Sequence, residues 1–98
     1  MTTQIINTTN APAAIGPYSQ AIKIGALVFT SGQLGLDPAT GELANGIEAQ
    51  AHQAFKNLDA ILKEAGGSLA GVSKFTLFLT DLGDFAKVNA IMQEYVSA

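Results

Sequence analysis

Ile15-Gly16-Pro17-Tyr18-Ser19-Gln20-Ala21-Ile22-Lys23-Ile24-Gly25-Ala26-Leu27-Val28-Phe29-Thr30-Ser31-Gly32-Gln33-Leu34-Gly35-Leu36 is the stretch on which the reading of the fold turns. Gly16-Pro17 sets a stiff turn carrying the Tyr18 hydroxyl, because proline holds φ and glycine admits backbone conformations closed to other residues. Two apolar runs follow, Ala21 to Ile24 and Leu27 to Ser31. Their strand-forming residues and the tight turn at Gly25-Ala26 predict an antiparallel hairpin. The second run opens into Thr30-Ser31-Gly32-Gln33. Ser31-Gly32 removes side-chain bulk and leaves backbone N–H groups approachable. This is either a plain strand end or one wall of a site for a small, oxygen-rich molecule.

Upstream of the hairpin, Gln4 to Thr8 reads as a short first strand, bounded by Asn10-Ala11-Pro12. The loop from Asn10 to Pro17 carries two prolines and a glycine, so it is expected to be ordered although irregular. Downstream, Asp37-Pro38-Ala39-Thr40-Gly41 is a turn signal, with proline pre-setting φ and glycine supplying a left-handed position.

Asn45 to Gly66 predicts a helix, with Ile47, Ala51, Ala54, Phe55, Leu58, Ile61, Leu62 and Ala65 on one apolar stripe. Asn45 is expected to cap it with Glu48 as capping-box partner, and Gly66 to stop it. The opposite face carries Glu48, His52, Lys56, Asp59 and Lys63, so His52 is expected to point to water and pair with Glu48. Val72 to Thr80 alternates, with Phe75, Leu77 and Leu79 on one side and Lys74, Thr76, Phe78 and Thr80 on the other. Phe78 on the second side suggests a strand covered by a helix on one face and by another subunit on the other. Asp81 or Asp84 then caps a second helix with Phe85, Val88, Met92 and Tyr95 as its stripe and Ile91 beside it. Asn89 flanks that stripe, either as a satisfied structural amide or as one aimed into a pocket. A few strands, a helix, a strand and a helix leave the sheet one strand or hairpin short, so the order reads as unfinished.

The 98 residues predict one domain, large enough to bury roughly 65% of its unfolded surface. A hydrophobic fraction of 48% speaks against disorder. There is no cysteine, and His52 is the single histidine, which removes thiolate and multi-histidine metal sites. No metal site of either kind is expected. The net charge is −3, and the five basic residues are scattered lysines, so no basic stripe exists to bind nucleic acid. Met1 to Gln4 does not resemble a secretory signal and no run is long enough to span a bilayer, which makes a cytoplasmic location the expectation. Paired carboxylates, an activated serine and a phosphate loop are all lacking. What remains is a neutral polar pocket: the Tyr18 and Ser31 hydroxyls, backbone N–H groups at Gly32, and the Gln33 and Asn89 amides. Such groups suit a small carboxylate or carbonyl compound and can position a water. For Tyr18 the alternative is an aromatic packed on a strand with its hydroxyl wet.

Ala13-Ala14-Ile15-Gly16-Pro17-Tyr18-Ser19-Gln20-Ala21, Phe29-Thr30-Ser31-Gly32-Gln33, Asp37-Pro38-Ala39-Thr40-Gly41 and Asp81-Leu82-Gly83-Asp84-Phe85-Ala86-Lys87-Val88-Asn89 together resemble the reactive intermediate deaminase family (RidA, or YjgF/YER057c/UK114), also known as the L-PSP endoribonucleases. The resemblance runs from about Ile5 to the end of the chain. It implies an α+β, chorismate-mutase-like fold in which two helices cover one face of a sheet, here stopping before the last strands. It further implies homotrimers with the sheets inside and the clefts between subunits. The implied activity is cofactor-free hydrolysis of 2-aminoacrylate and 2-iminobutanoate to 2-keto acids and ammonia. On this resemblance Tyr18 lines the pocket, Ser31 and Gly32 border it, and Asn89 lies near. The family's carboxylate-binding arginine and its water-orienting glutamate belong to segments that would follow Ala98, and these 98 residues contain no arginine. A bidentate arginine fork is poorly replaced by lysine, so impaired turnover is the expectation. Two other readings are a non-catalytic trimeric module for keto acids or a protein partner, and a ribonuclease or translation inhibitor. The acidic charge weighs against the latter.

Overall fold

A single long helix organises the molecule. In the computed structural model, which describes residues 3–72 and 74–96, α1 spans Ile47–Glu64. It separates two apolar clusters. On one flank Ile61 and Ala65 pack with Ile6, Ala11 and Ala21 of the sheet. On the other Ala51, Phe55 and Leu62 pack with Leu69 and with Val88 and Ile91 of the second helix. Complete burial of a side chain such as Ile61 contributes about 1.5–3 kcal/mol.

The sheet has three antiparallel strands in the order β1-β2-β3: β1 is Thr3–Ile6, β2 Ala21–Ile24 and β3 Leu27–Thr30. Ile5 stands opposite Ile22, and Ile22 opposite Phe29. Because side chains alternate across a sheet, this row faces away from α1, while Ile6, Ala21 and Val28 face towards it. Lys23 lies on the helix side and donates to the Ala65 carbonyl at 3.2 Å. That places a cation at the negative end of the α1 dipole.

The α1 stop follows the expected chemistry. Gly66 takes φ 91°, its N–H donates to Lys63 O at 3.0 Å, and the Gly67 N–H donates to Leu62 O at 2.8 Å. This pair of bonds is a Schellman closure. The start differs from the expected capping box. Gly46, not Asn45, occupies the cap position at φ 83°, and no side chain caps the helix. The entry is held from outside instead: the Gln50 side chain donates to Ala44 O at 3.0 Å, and the Ala44 N–H donates to Gly35 O at 2.9 Å. Glu48 still lies in the first turn, where the dipole favours it.

After a 3-10 turn at Leu69–Gly71, residues 74–80 run without a ladder partner among the described residues. The expected alternation is nevertheless present. Phe75, Leu77 and Leu79 pack against the α1–α2 cluster, whereas Lys74, Thr76, Phe78 and Thr80 are exposed. Ser73, within the expected strand, lies outside the described residues, as do Met1, Thr2, Ser97 and Ala98. Asp81 caps a second 3-10 turn, Leu82–Asp84, by accepting from the Gly83 N–H at 2.8 Å. Then α2, Phe85–Tyr95, runs along α1 with Val88 and Ile91 buried. No helix among the described residues is long and apolar enough to cross a membrane.

His52 departs from its expected place. It is half-buried between the helices, with Nδ1 2.9 Å from the Tyr95 hydroxyl and Nε2 3.9 Å from a Glu94 carboxylate oxygen. The Tyr95 ring in turn stacks on Phe55 at 5.4 Å between centroids. Burial, then the Glu94 and Asp59 carboxylates, raise the Tyr95 hydroxyl above its ordinary pKa. The surface reading of His52 failed because α2 closes over that edge of α1, which helical periodicity within α1 does not reveal.

Candidate functional site

The described residues form a cleft of about 340 Å3 between the 12–18 loop and the 32–41 segment. Tyr18, Gly32 and Gln33 line it together with Ala14, Leu36 and Asp37. Each wall is fixed by a buried amide.

The first wall is held by Gln20, which is 2% exposed. Its Oε1 accepts from the Thr8 N–H at 2.7 Å, and its Nε2 donates to Thr8 O at 3.0 Å and Pro12 O at 2.8 Å. These bonds staple an irregular loop whose backbone groups have no ladder to join. Gly16 takes φ 117° and accepts from the Tyr18 N–H at 2.9 Å. The Tyr18 hydroxyl accepts from the Ile15 N–H at 3.3 Å, and the side chain is half exposed, with ring and hydroxyl open to the cleft.

The second wall is held by α1. Asn57 is fully buried, and its Nδ2 donates to Leu34 O at 3.1 Å and Leu36 O at 2.9 Å. Its Oδ1 accepts from Gln53 Nε2 at 2.8 Å. The wall can lie this close only because position 35 is glycine: a Cβ there would sit 2.6 Å from the Gln50 backbone. The Asp37 to Gly41 turn forms as expected. Asp37 Oδ1 accepts from the Ala39 N–H at 2.8 Å, and Asp37 O accepts from the Gly41 N–H at 2.7 Å.

Ser31 joins the two walls. Its N–H donates to Gln20 O at 2.9 Å and its hydroxyl donates to Ser19 O. That proton is engaged, and Ser31 stands behind the cleft beside Gly32 and is not among its lining residues. A Cβ on Gly32 would meet nothing within 4 Å, so glycine leaves open space there. The Gly32 and Gln33 N–H groups have no acceptor among the described residues. Asn89 is not brought to this cleft. It lies half-buried on α2, whose neighbours are α1 and the preceding turn. No group of three or more potential metal ligands occurs among the described residues.

Sequence reasoning passed over Gln20 and Asn57. Strand alternation places Gln20 on the exposed side with Ile22, but it lies before the first ladder pair and escapes that parity. Asn57 did carry a signal. Gln50, Gln53 and Asn57 stand at i, i+3 and i+7, a stripe of carboxamides on one helix face.

A three-stranded antiparallel sheet under a central helix, with a second helix alongside, is the YjgF-like α+β architecture. The family model described as Endoribonuclease L-PSP matches residues 8–98. The mouse 2-iminobutanoate/2-iminopropanoate deaminase is 50% identical over 93 residues, which are 94% of this chain and 69% of that protein. The crystal structure of RidA from the Antarctic bacterium Psychrobacter sp. PAMC 21119 superposes with a TM-score of 0.93 at 54% identity, covering 96% of this chain and 76% of that one. Escherichia coli TdcF with bound serine gives 0.90 at 43% identity, covering 94% and 72%. The chain belongs to the RidA/YjgF/L-PSP family and spans about three quarters of the length of these relatives.

Proposed function

We propose that the chain carries the substrate-binding half of a deaminase acting on 2-imino and enamine acids such as 2-iminobutanoate and 2-aminoacrylate. The observation that carries this reading is a cleft offering unengaged N–H groups beside a tyrosine hydroxyl, in a chain half identical to a relative named for this activity. The serine bound in TdcF is a small molecule that shares with these substrates a carboxylate next to a nitrogen-bearing carbon. In the proposed reaction an enamine first tautomerises to its imine, carbon gaining a proton as nitrogen loses one. Water oxygen then bonds to the imine carbon and one water proton goes to nitrogen, giving a carbinolamine. The new hydroxyl passes its proton to nitrogen as the C–N bond breaks, releasing ammonia and leaving the 2-keto acid. Gly32 and Gln33 N–H groups receive the substrate carboxylate, Ser31 stands behind them, and Tyr18 covers the substrate with its ring and orients it through its hydroxyl.

Asn89 joins this set through a neighbouring subunit in a homotrimer built on the sheet face of Ile5, Ile22, Leu27 and Phe29, all exposed in the single chain. Among these 98 residues, which contain no arginine, the neutral Gly32 and Gln33 N–H groups are the donors that meet the carboxylate. Ammonia release from 2-iminobutanoate generated in situ tests the reading. The expected result is acceleration over buffer that falls with Tyr18→Phe. A rate equal to buffer, with saturable 2-ketobutyrate binding, would replace it with the reading of a non-catalytic keto-acid module.

A further inference from the structure

We infer that Asn45-Gly46 is a site of spontaneous covalent modification, at which the chain converts its own asparagine to aspartate and isoaspartate, and that the isoaspartate form loosens the second wall of the cleft. The inference is independent of the proposed chemistry.

Three observations carry it. The first is the dipeptide itself, which occurs once in the 98 residues. Gly46 takes φ 83° and ψ 159°, a region that in practice only glycine enters. The entry into α1 therefore demands a residue without a Cβ directly after Asn45. The second is that the reacting groups are unoccupied. Asn45 is exposed and its side chain does not cap α1, and the Gly46 N–H donates to no acceptor among the described residues. The third is space: a Cβ built on Gly46 would meet nothing within 4 Å. The other asparagines lack this combination. Asn7, Asn10 and Asn89 precede Thr8, Ala11 and Ala90, whose side chains crowd the amide nitrogen. Asn57 is fully buried, with both ends of its amide bonded.

Asparagine is a thermolabile residue because its amide carbon can be attacked by the next main-chain nitrogen. Here the Gly46 nitrogen bonds to Asn45 Cγ as it loses its proton. The Cγ–Nδ2 bond breaks, and ammonia leaves with that proton, closing a succinimide ring. Water then opens the ring. Attack at Cγ gives aspartate, and attack at the main-chain carbonyl gives isoaspartate, whose backbone runs through Cβ and Cγ. Water in and ammonia out is the whole balance. Isoaspartate lengthens the main chain between Ala44 and Gly46, where the helix entry is tied down. The Ala44 N–H donates to Gly35 O at 2.9 Å, its carbonyl accepts from the Gln50 side chain at 3.0 Å, and the Gln50 N–H donates to Gly46 O at 3.0 Å. These bonds close a short loop with no slack for an added methylene, so the tie to Gly35 gives way.

The test ages the 98-residue chain in water labelled with heavy oxygen, from neutral to mildly alkaline pH, and locates the label and any isoaspartate by peptide mapping. Asn45→Gln, which leaves the backbone unchanged, is the control. The expected result is label entering at position 45, faster in proportion to hydroxide concentration, because the Gly46 nitrogen must lose its proton. Its rate should lie within about tenfold of that of an unstructured peptide covering residues 43–48, as for a segment that costs little to open. Asn45→Gln should stay unlabelled at that position. In the purified isoaspartate form, hydrogen exchange at the Ala44 amide should be about tenfold faster or more. A folded chain labelled more than about tenfold more slowly than the peptide overturns the inference. So does labelling of Asn10 or Asn89 as fast as Asn45, or unchanged exchange at Ala44 in the isoaspartate form.

Discussion

The sheet β1-β2-β3 and the segment 74–80 are both written in strand residues, yet only the first forms a ladder among the described residues. In the sheet, β2 bonds to β3 across the Gly25-Ala26 turn and to β1 on its other edge, and side chains of α1 close one face. In 74–80 the same alternation buries Phe75, Leu77 and Leu79 under the helices, but no described backbone lies alongside. The difference teaches that alternation reports burial on one face, while a strand additionally needs hydrogen-bonding partners at its edges.

The largest effect is expected from Ile61→Ala, which opens a cavity between α1 and the sheet and should cost about 2–5 kcal/mol in chemical denaturation. Leu77→Ala, half-buried in the unladdered segment, should cost clearly less; equal losses would mean that the two regions are equally well packed.

Gly35→Ala forces a Cβ against the Gln50 backbone and should destabilise by about 1–3 kcal/mol, read as a lowered denaturation midpoint at unchanged m-value. Asn57→Ala removes the donor to two part-buried carbonyls and should cost about 1–3 kcal/mol. It should also speed hydrogen exchange in residues 31–37, and unchanged exchange there would remove Asn57 from the role of wall clamp.

Smaller again is Tyr95→Phe, which deletes the bond to His52 and should cost about 0.5–1.5 kcal/mol at neutral pH. Its pH profile sharpens the test. The Tyr95 pKa is raised in the folded state, so the folded chain holds the phenol proton after the unfolded chain has released it. That stabilisation is complete below the ordinary tyrosine pKa of about 10 and fades as pH climbs through the higher folded value. Stability measured upward from pH 9 should therefore fall less steeply in Tyr95→Phe than in the parent. The smallest effect belongs to Phe78→Ala, within about 0.5 kcal/mol in the chain alone, because its ring touches almost only solvent.

The local elements were legible in the residues alone: the hairpin about Gly25-Ala26, the helix stopped at Gly66, the Asp37 to Gly41 turn and the alternation of residues 74–80. Each is set by short-range physics, namely glycine and proline dihedrals and the period of apolar side chains. Its motifs also named the family and placed Tyr18, Gly32 and Gln33 on adjoining stretches that the cleft then brings together. Where the amides go depends on packing between distant segments. Gln20 and Asn57 are buried because distant loop carbonyls and N–H groups need partners, and Asn45 loses the cap because loop-to-helix bonds fix the entry instead. His52 meets Tyr95 because α2 packs along α1. A polar side chain looks the same in a sequence whether water or a buried carbonyl satisfies it, and the choice is made by whichever backbone the fold carries past it.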